Sequence, residues 1–453
     1  MSRPNILFYF SDQQRWDTIG AYGQPLDVTP HLDALARQGV LFEEAYSPQP
    51  VCGPCRSIFQ SGLYPTQTGC FRNNIALPLD TKTLADYFTE NGYETAYIGK
   101  WHLASDGELE ATPTIDYTIT AIPPERRGGY KGFWRAADVL EFTSHGYDGF
   151  VFDENMNKCE FKGYRVDCIT DFALEFLEQY NNEKPFFMTI SHIEPHHQND
   201  RHTYEGPEGS KTRFEHYQLP HDLKVLGGNA DEMYPDYLGC CRSLDDNLGR
   251  VIDKLKEKGL FDNTIIIYAS DHGSHFMTRN KDEHLNGYDD YKRSCHSSAL
   301  HVPLIIAGPG YKGGLRIKDL VSTASLPKTF LAMAGIDVGD KMIGENLHDV
   351  VAHRDPQRKN EIFAQISESR IGRCIRTENY LYSVYAPNVH GGVQGGSDVY
   401  CDDFLYDLTK DPYELTNVVA EPEYQHIKAQ LRERLCDLMV QAGEPRPMIK
   451  DQL

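Results

Sequence analysis

Short apolar runs alternate with amphipathic stretches over most of the chain. Residues 5–10 (NILFYF) form a continuous apolar run of strand length. Thr29-Pro30 then opens a helical pattern with Leu32, Leu35 and Ala36 on one face, closed by Gly39. Residues 40–45 return as strand. The rhythm repeats with a helix over 84–91 stopped by Gly92, a strand over 95–98, a helix over 166–180 and a strand over 186–190. A long helix near 237–258 keeps Leu244, Leu248, Val251 and Leu255 in register, and TIIIYA (264–269) follows as strand. Strands that are apolar on both faces need cover on both sides, so the alternation predicts an α/β fold: a large, mostly parallel sheet sandwiched by helices.

Two segments break the rhythm. Residues 105–165, rich in Pro, Gly and aromatics (PPERRGGYKGFW), read as a long excursion over the active face. Beyond the polar segment HRDPQRKN, short strands over 361–366, 372–376 and 380–385 and a helix over 423–441 predict a small C-terminal α+β subdomain with a short antiparallel sheet. The expected division is 1–355 and 356–453.

Composition narrows the function. The chain has 453 residues, 40% of them hydrophobic, without repeats or low-complexity tracts, as an ordinary globular protein has. Forty-five basic against 66 acidic residues give a net charge of −21, which opposes nucleic acid and anionic membranes as partners. An anionic substrate therefore needs a local cationic pocket. The N-terminus lacks the pattern of a secretion signal, and eleven scattered cysteines are not a disulfide framework; both lead to the expectation of a cytoplasmic protein.

Parallel sheets bind ligands at the carboxyl ends of their strands. Those ends carry Asp12-Gln13, Lys100 with His102, His192 with His196-His197, and Asp271-His272. Carboxylates suit a hard divalent cation, lysines suit substrate oxygens, and imidazoles suit proton transfer. The set fits a metal-assisted site for an anionic ester.

The tetrapeptide Cys52-Gly-Pro-Cys55 suggests a thiol-disulfide centre, but Arg56 and Ser61-Gly62 follow it. Cys52-Gly-Pro54-Cys-Arg56 resembles the CxPxR signature of the formylglycine-dependent sulfatase family in the alkaline phosphatase superfamily. NILFYFSDQ, GKWH, Pro195-His196, SDHG and the Lys292 segment resemble that family's other motifs, and FLYDLTKDPYELTN resembles its closing hairpin. Gln13, where many sulfatases have a second Asp, and His272, where many have Asn, resemble the choline sulfatase and phosphonate monoester hydrolase branch. Asn73 fits an Asn of that branch.

The resemblance implies hydrolysis of a sulfate monoester through formylglycine made from Cys52 by a maturation enzyme. It implies one divalent metal, calcium before manganese, on Asp12, Asp271, His272, modified Cys52 and Gln13, the last reading equally as a supporting hydrogen-bonder. Arg56 and Lys100 would fix the hydrate, Lys100 and Lys292 would hold sulfate oxygens, His196 would protonate the leaving alcohol and His102 would act as base. A phosphonate monoester or phosphodiester substrate would use the same residues; a non-catalytic anion-binding relative or a CxxC redox protein are the remaining alternatives. Asn73, His192 and Trp134 are the candidate substrate contacts, with Tyr130, Phe133 and the 390–398 loop as further wall. A small sulfated compound is the expected substrate, and a homo-oligomer is compatible with the sequence. His301 has no assignable role.

Overall fold

The computed structural model describes residues 3–107, 115–279 and 291–451, so 108–114 of the expected excursion lie outside the described residues. The apolar runs become β1 (Asn5–Ser11), β2 (Val40–Tyr46), β3 (Glu94–Lys100), β4 (Phe133–Ala137), β5 (Ser144–His145), β6 (Asp148–Asp153), β7 (Lys158–Lys162), β8 (Phe186–Ser191), β9 (Thr264–Ser270), β10 (His301–Val302), β11 (Leu304–Ala307) and β12 (Leu315–Ser322). These form one sheet in the order β10-β2-β11-β9-β1-β8-β3-β4-β6-β5, with β12 beside β2 and β7 beside β6. Its centre, β9-β1-β8-β3-β4, is parallel. The flanks are mixed: β11 runs antiparallel between β9 and β2, and β6 antiparallel to β4.

Helices α1 (Pro30–Gln38), α2 (Cys52–Ser61), α3 (Leu84–Glu90), α4 (Arg165–Gln179), α5 (Ala230–Glu257) and α6 (Leu326–Met333) cover the two faces. Successive strand residues point to opposite faces, so β1 feeds two cores. Phe8 and Phe10 pack with Phe59, Phe88 and Phe330, whereas Leu7 and Tyr9 pack with Leu35, Ile169, Leu248 and Val251. That is why 5–10 shows no polar alternation. Among the described residues no helix is long and apolar enough to cross a membrane.

Helix α5 starts at Ala230, earlier than the expected 237, with Pro235 inside it. A proline in a helix leaves the carbonyl four residues back without a donor. Here the Tyr217 hydroxyl donates to the Asp231 carbonyl at 2.7 Å and fills that vacancy.

The expected excursion is largely sheet. Residues 133–137 add a strand parallel to β3, and β5–β7 extend the edge. Trp134 is fully buried, stacked 5.3 Å from Tyr97, edge-on to Trp101 and capped by the Arg127 guanidinium. Tyr130 is buried against the same rings, and Phe133 packs on Phe176. Trp134 is therefore a core residue and not a substrate contact; aromatic density marked a packing layer.

The C-terminal sheet contains β13 (Glu361–Ile366), β14 (Gly372–Thr377), β15 (Tyr380–Tyr385), β16 (Val399–Asp407) and β17 (Met448–Lys450), backed by α7 (Gln425–Gln441). The first four are antiparallel and β17 pairs parallel to β16. The pair Asp402-Asp403 hides β16 from a periodicity reading, yet buried Asp402 is held by Tyr382, Lys428 and Arg432. The expected closing hairpin is the end of β16 plus a turn, with the Val418 N–H returning to the Leu405 carbonyl. An apolar cluster of Tyr46 and Leu300 with Ile362, Ala364 and Cys374 joins the two sheets.

Candidate active site

Four central strands deliver polar residues to one place, and α2 brings Cys52 and Arg56 to meet them. At Gly99 the chain has φ +103°, and a Cβ there would lie 1.9 Å from the Ser191 carbonyl, so only glycine lets β3 close on β8 beside Lys100. Helix α2 begins at Cys52, placing this residue in its first turn, and ends at Gly62 in the left-handed conformation. Asn73 Oδ1 accepts the Gly53 N–H at 2.9 Å, satisfying one of the first-turn donors. Asn73 is thus a cap for the Cys52 helix, where the sequence suggested a substrate contact.

Asp12 is the hub. Its Oδ2 accepts from Arg56 Nη2 and Lys100 Nζ, each at 3.0 Å, while Oδ1 lies 3.4 Å from Cys52 Sγ. Burial opposes ionisation of Asp12, but Lys100, His196, Arg56 and His272 hold its carboxyl well below the usual range. Asp271 Oδ1 accepts the backbone N–H groups of Gln13 and His272 at 3.1 and 2.9 Å. Burial and the facing Asp12 charge push Asp271 up to about 7. His272 Nδ1 donates to the Gly273 carbonyl, so its Nε2 lone pair faces Cys52 Sγ at 3.3 Å. Burial and Lys292 keep this imidazole neutral, at about 3.

The ligand atoms of Asp12, Cys52, Asp271 and His272 all lie within 4.8 Å of one another. Asp271 Oδ2 is buried without a hydrogen-bond partner. Two facing carboxylates, one of them with an oxygen that no hydrogen bond holds, a neutral imidazole and the residue 52 side chain are the donor set of a divalent cation, so these residues fit the metal the family implies. Gln13 acts differently. With φ +70° it turns its N–H onto Asp271, while its side-chain oxygen accepts the His197 N–H at 3.0 Å.

Lys292 Nζ donates to Cys52 Sγ at 3.2 Å and to His196 Nε2 at 2.7 Å, and His196 Nδ1 donates to the His197 carbonyl. His102 is buried with φ +60°; its Nδ1 has no hydrogen-bond partner, and its carbonyl lies 3.5 Å from where a Gly53 Cβ would stand. Burial, Lys100 and Arg56 hold His102 well below the usual imidazole range. The site thus gathers three cations, Arg56, Lys100 and Lys292, in a chain of net charge −21.

Other expected residues fall elsewhere. His192 is fully buried against Tyr9, 4.9 Å between ring centroids, with neither ring nitrogen hydrogen-bonded, so it is interior and not pocket wall. The 390–398 loop closes over Phe71 and Arg373. His301 stacks between Trp16 at 4.0 Å and Tyr46 at 4.7 Å. Cys55 Sγ donates to the Asp271 carbonyl, and burial and Asp271 raise its thiol well above the usual value. Burial and Asp12 push Cys52 up to about 12. Both cysteines are free thiols. A dithiol redox centre needs a lowered thiol pKa, so this environment is wrong for one.

The sequence reading missed three participants. Glu141, from the expected excursion, reaches Lys100 Nζ at 3.2 Å. Ser191, directly after the apolar run of β8, accepts from Arg56 Nη1 at 2.6 Å, and its place at a strand end was a usable signal. Glu368 accepts from both Arg293, beside Lys292, and the Asn73 N–H, a junction with no local signature.

A family model described as Sulfatase matches residues 4–336, and one described as N-sulphoglucosamine sulphohydrolase, C-terminal, matches residues 284–441. The chain is 30% identical to "Uncharacterized sulfatase YidJ" of Escherichia coli (strain K12), covering 98% of this chain and 89% of that one. It is 28% identical to an "Ulvan-active sulfatase" of Formosa agariphila, covering 98% and 82%. A structure solved with its substrate D-glucosamine-2-N,6-O-disulfate superposes with TM-score 0.76 at 21% identity over 98% of this chain and 99% of that one. The phosphonate monoester hydrolase of Agrobacterium radiobacter gives TM-score 0.67 at 20% identity over 97% and 96%, a likeness of fold. The Sulfatase match runs through the Asp12, Cys52, Lys100, His196, Asp271 and Lys292 segments that meet in the buried cluster, and the chain belongs to the sulfatase family.

Proposed function

We propose that the chain hydrolyses a sulfate monoester at this cluster, with Cys52 oxidised to formylglycine by a maturation enzyme. One divalent cation, calcium in preference to manganese, would be held by Asp12, Asp271, His272 and the modified residue 52. When bound, the cation would supply a Lewis acid for sulfate oxygens, and formylglycine hydrate would supply a hydroxyl nucleophile on a carbon that can expel sulfate by C–O cleavage and return to the aldehyde.

The chain's own residues do the rest. Lys100 and Lys292 present ammonium groups to the sulfate oxygens, and Arg56 holds Asp12 in place. His196, whose Nε2 accepts from the Lys292 ammonium, takes that proton and passes it to the departing alcohol oxygen. His102, kept neutral by burial and two neighbouring cations, accepts a hydroxyl proton afterwards. The observation that carries this reading is Lys292, which bridges residue 52 and His196 with one ammonium group. Cys52 as a plain thiol, pushed up to about 12 by burial and Asp12, would offer almost no thiolate at neutral pH and so would be a poor nucleophile if left unconverted.

The names of the relatives, an ulvan-active sulfatase and an N-acetylglucosamine-6-O-sulfatase of Bacteroides thetaiotaomicron, make sugar sulfates the first substrate class to test. Protein made with a maturation enzyme should yield a Cys52 peptide about 18 Da lighter than the cysteine form, and sulfatase activity should track that fraction. Full activity with unmodified Cys52 would overturn the proposal. A faster turnover of aryl phosphonate monoester than of aryl sulfate would reassign the ester atom.

A further inference from the structure

Lys292 and Cys52 are 240 positions apart in the chain, yet their side chains meet at 3.2 Å. Lys292 is flanked by two left-handed residues, Tyr291 at φ +63° and Arg293 at φ +56°. Residues other than glycine adopt that conformation at a cost of about 1–3 kcal/mol, and keep it only where the surroundings impose it. Arg293 is held at both ends. Its N–H donates to the Pro50 carbonyl at 3.2 Å, and its Nη2 donates to Glu368 Oε1 at 2.7 Å.

The other oxygen of Glu368 serves the Cys52 side. Oε2 accepts the Asn73 N–H at 3.0 Å, and Asn73 Oδ1 accepts the Gly53 N–H at 2.9 Å in the first turn of α2. One carboxylate thus joins the residue after Lys292 to the cap of the Cys52 helix. Glu368 lies in the turn between β13 and β14 and is itself left-handed, at φ +72°. Its N–H donates to the Gly391 carbonyl at 3.0 Å, and a Cβ at Gly391 would stand 2.8 Å from that nitrogen, so the 390–398 loop packs directly on it. Its neighbours hold the approach to Cys52: the Gln365 N–H donates to the Pro48 carbonyl at 2.9 Å, and Gln49 Nε2 donates to Ser367 Oγ at 2.7 Å. Residues 48–53, Asn73 and residues 292–293 therefore meet on one turn of the C-terminal sheet.

Magnitudes separate a stabilising role from a positioning one. The Glu368 side chain is 20% exposed, so water screens its ion pair, and a screened pair contributes only ~0–1 kcal/mol to stability. A shift of about 1 Å in a catalytic group, by contrast, costs on the order of 10²-fold in rate. We propose that Glu368 is a positioning residue for the hydrolysis, fixing the separation of Lys292 from residue 52 through Arg293 on one side and Asn73 on the other. The rate effect rests on the sulfatase reading, whereas the geometric link stands without it.

Glu368→Ala and Glu368→Gln in the full chain test the link, with turnover of 4-nitrophenyl sulfate expressed per formylglycine and per folded molecule. Glu368→Ala should lower kcat at least ~10-fold with KM changed less than ~3-fold, and Glu368→Gln, which keeps one oxygen acceptor, should fall in between. Arg293→Met should lower kcat too, and the pair Glu368→Ala/Arg293→Met should cost clearly less than the product of the two single losses. A kcat that follows only the folded fraction, a rise in KM alone, or losses that multiply in full would overturn the proposal. Crystals of Glu368→Ala in its cysteine form give a reading without turnover. Lys292 Nζ should move out of hydrogen-bond reach of Cys52 Sγ, or Asn73 Oδ1 out of reach of the Gly53 N–H. Both contacts kept at their present lengths would overturn it as well. An unsubstituted protein that hydrolyses no sulfate ester would count against the sulfatase mechanism alone, and the crystals would still decide the role of Glu368.

Discussion

Arg56 in helix α2, against the main sheet, and Arg373 in the C-terminal sheet are both buried to within 1% exposure, yet their surroundings differ. Arg373 is saturated. Its Nε and Nη2 clasp Glu444, and its remaining donors reach the carbonyls of Ile366, Gly372 and Gly395. Arg56 reaches Asp12, Ser191 and the Lys100 carbonyl, but its Nε stands 3.7 Å from Asp271 Oδ2, an ion pair too long for a hydrogen bond, and neither atom has a hydrogen-bond partner. A buried charge that only holds structure is fully paired, because an unpaired one is costly. Where pairing is incomplete among several buried charges, the fold is arranged for something that is not protein.

Removing charge from the two regions should therefore have opposite consequences. Asp271→Ala should abolish bound metal, read by elemental analysis, and lower turnover by at least ~10³-fold, while Asp271→Asn, which keeps an oxygen acceptor for the Gln13 and His272 N–H groups and removes the charge facing Asp12, should lose metal with metal-free Tm unchanged or higher. Full metal occupancy in the alanine variant would remove Asp271 from the ligand set. His196→Ala should cost ~10²–10⁴-fold on esters with basic leaving alcohols and clearly less on activated aryl esters, since proton donation matters most for a poor leaving group. Equal losses on both would leave His196 a binding role only.

Arg373→Ala should act on stability. It strands Glu444 in the interior and should cost ~3–5 kcal/mol in urea unfolding, with kcat of the folded fraction little changed. A loss of activity without a loss of stability would erase the contrast between the two arginines. The smallest effect concerns His192. Burial and Arg165 hold it at about 3, below the ~6.5 of an unfolded chain, so the unfolded state binds the extra proton between those values. The stability this neutral imidazole contributes is complete above about pH 6.5 and is lost as pH falls, by up to about 1.4 kcal/mol per unit. His192→Phe should flatten that acid limb of the urea midpoint against pH; an unchanged slope would assign it to other groups.

The strands, their order along the chain and the motifs at their ends were legible because each rests on residues close in sequence. The run 5–10 and TIIIYA became the adjacent buried strands β1 and β9, and Asp12 and Asp271 follow them. Reading failed where burial was polar or aromatic. Asp402 hid a strand, Pro235 hid the first turns of α5, and Trp134 looked like a binding surface because composition does not distinguish an aromatic core from an aromatic wall.

Local pattern thus determined an α/β chain with charged strand ends, because apolar periodicity and capping act within a few residues. The tertiary structure alone decided which charges meet. Lys292 reaches Cys52 across 240 positions, Arg56 reaches Asp12 across 44, and Glu141 reaches Lys100 across 41. It also decided that Asn73 caps a helix and that His192 and Trp134 belong to the interior. The physical reason is that the cost of a buried charge or an unmade hydrogen bond depends on every atom around it, and those atoms are brought together only by folding.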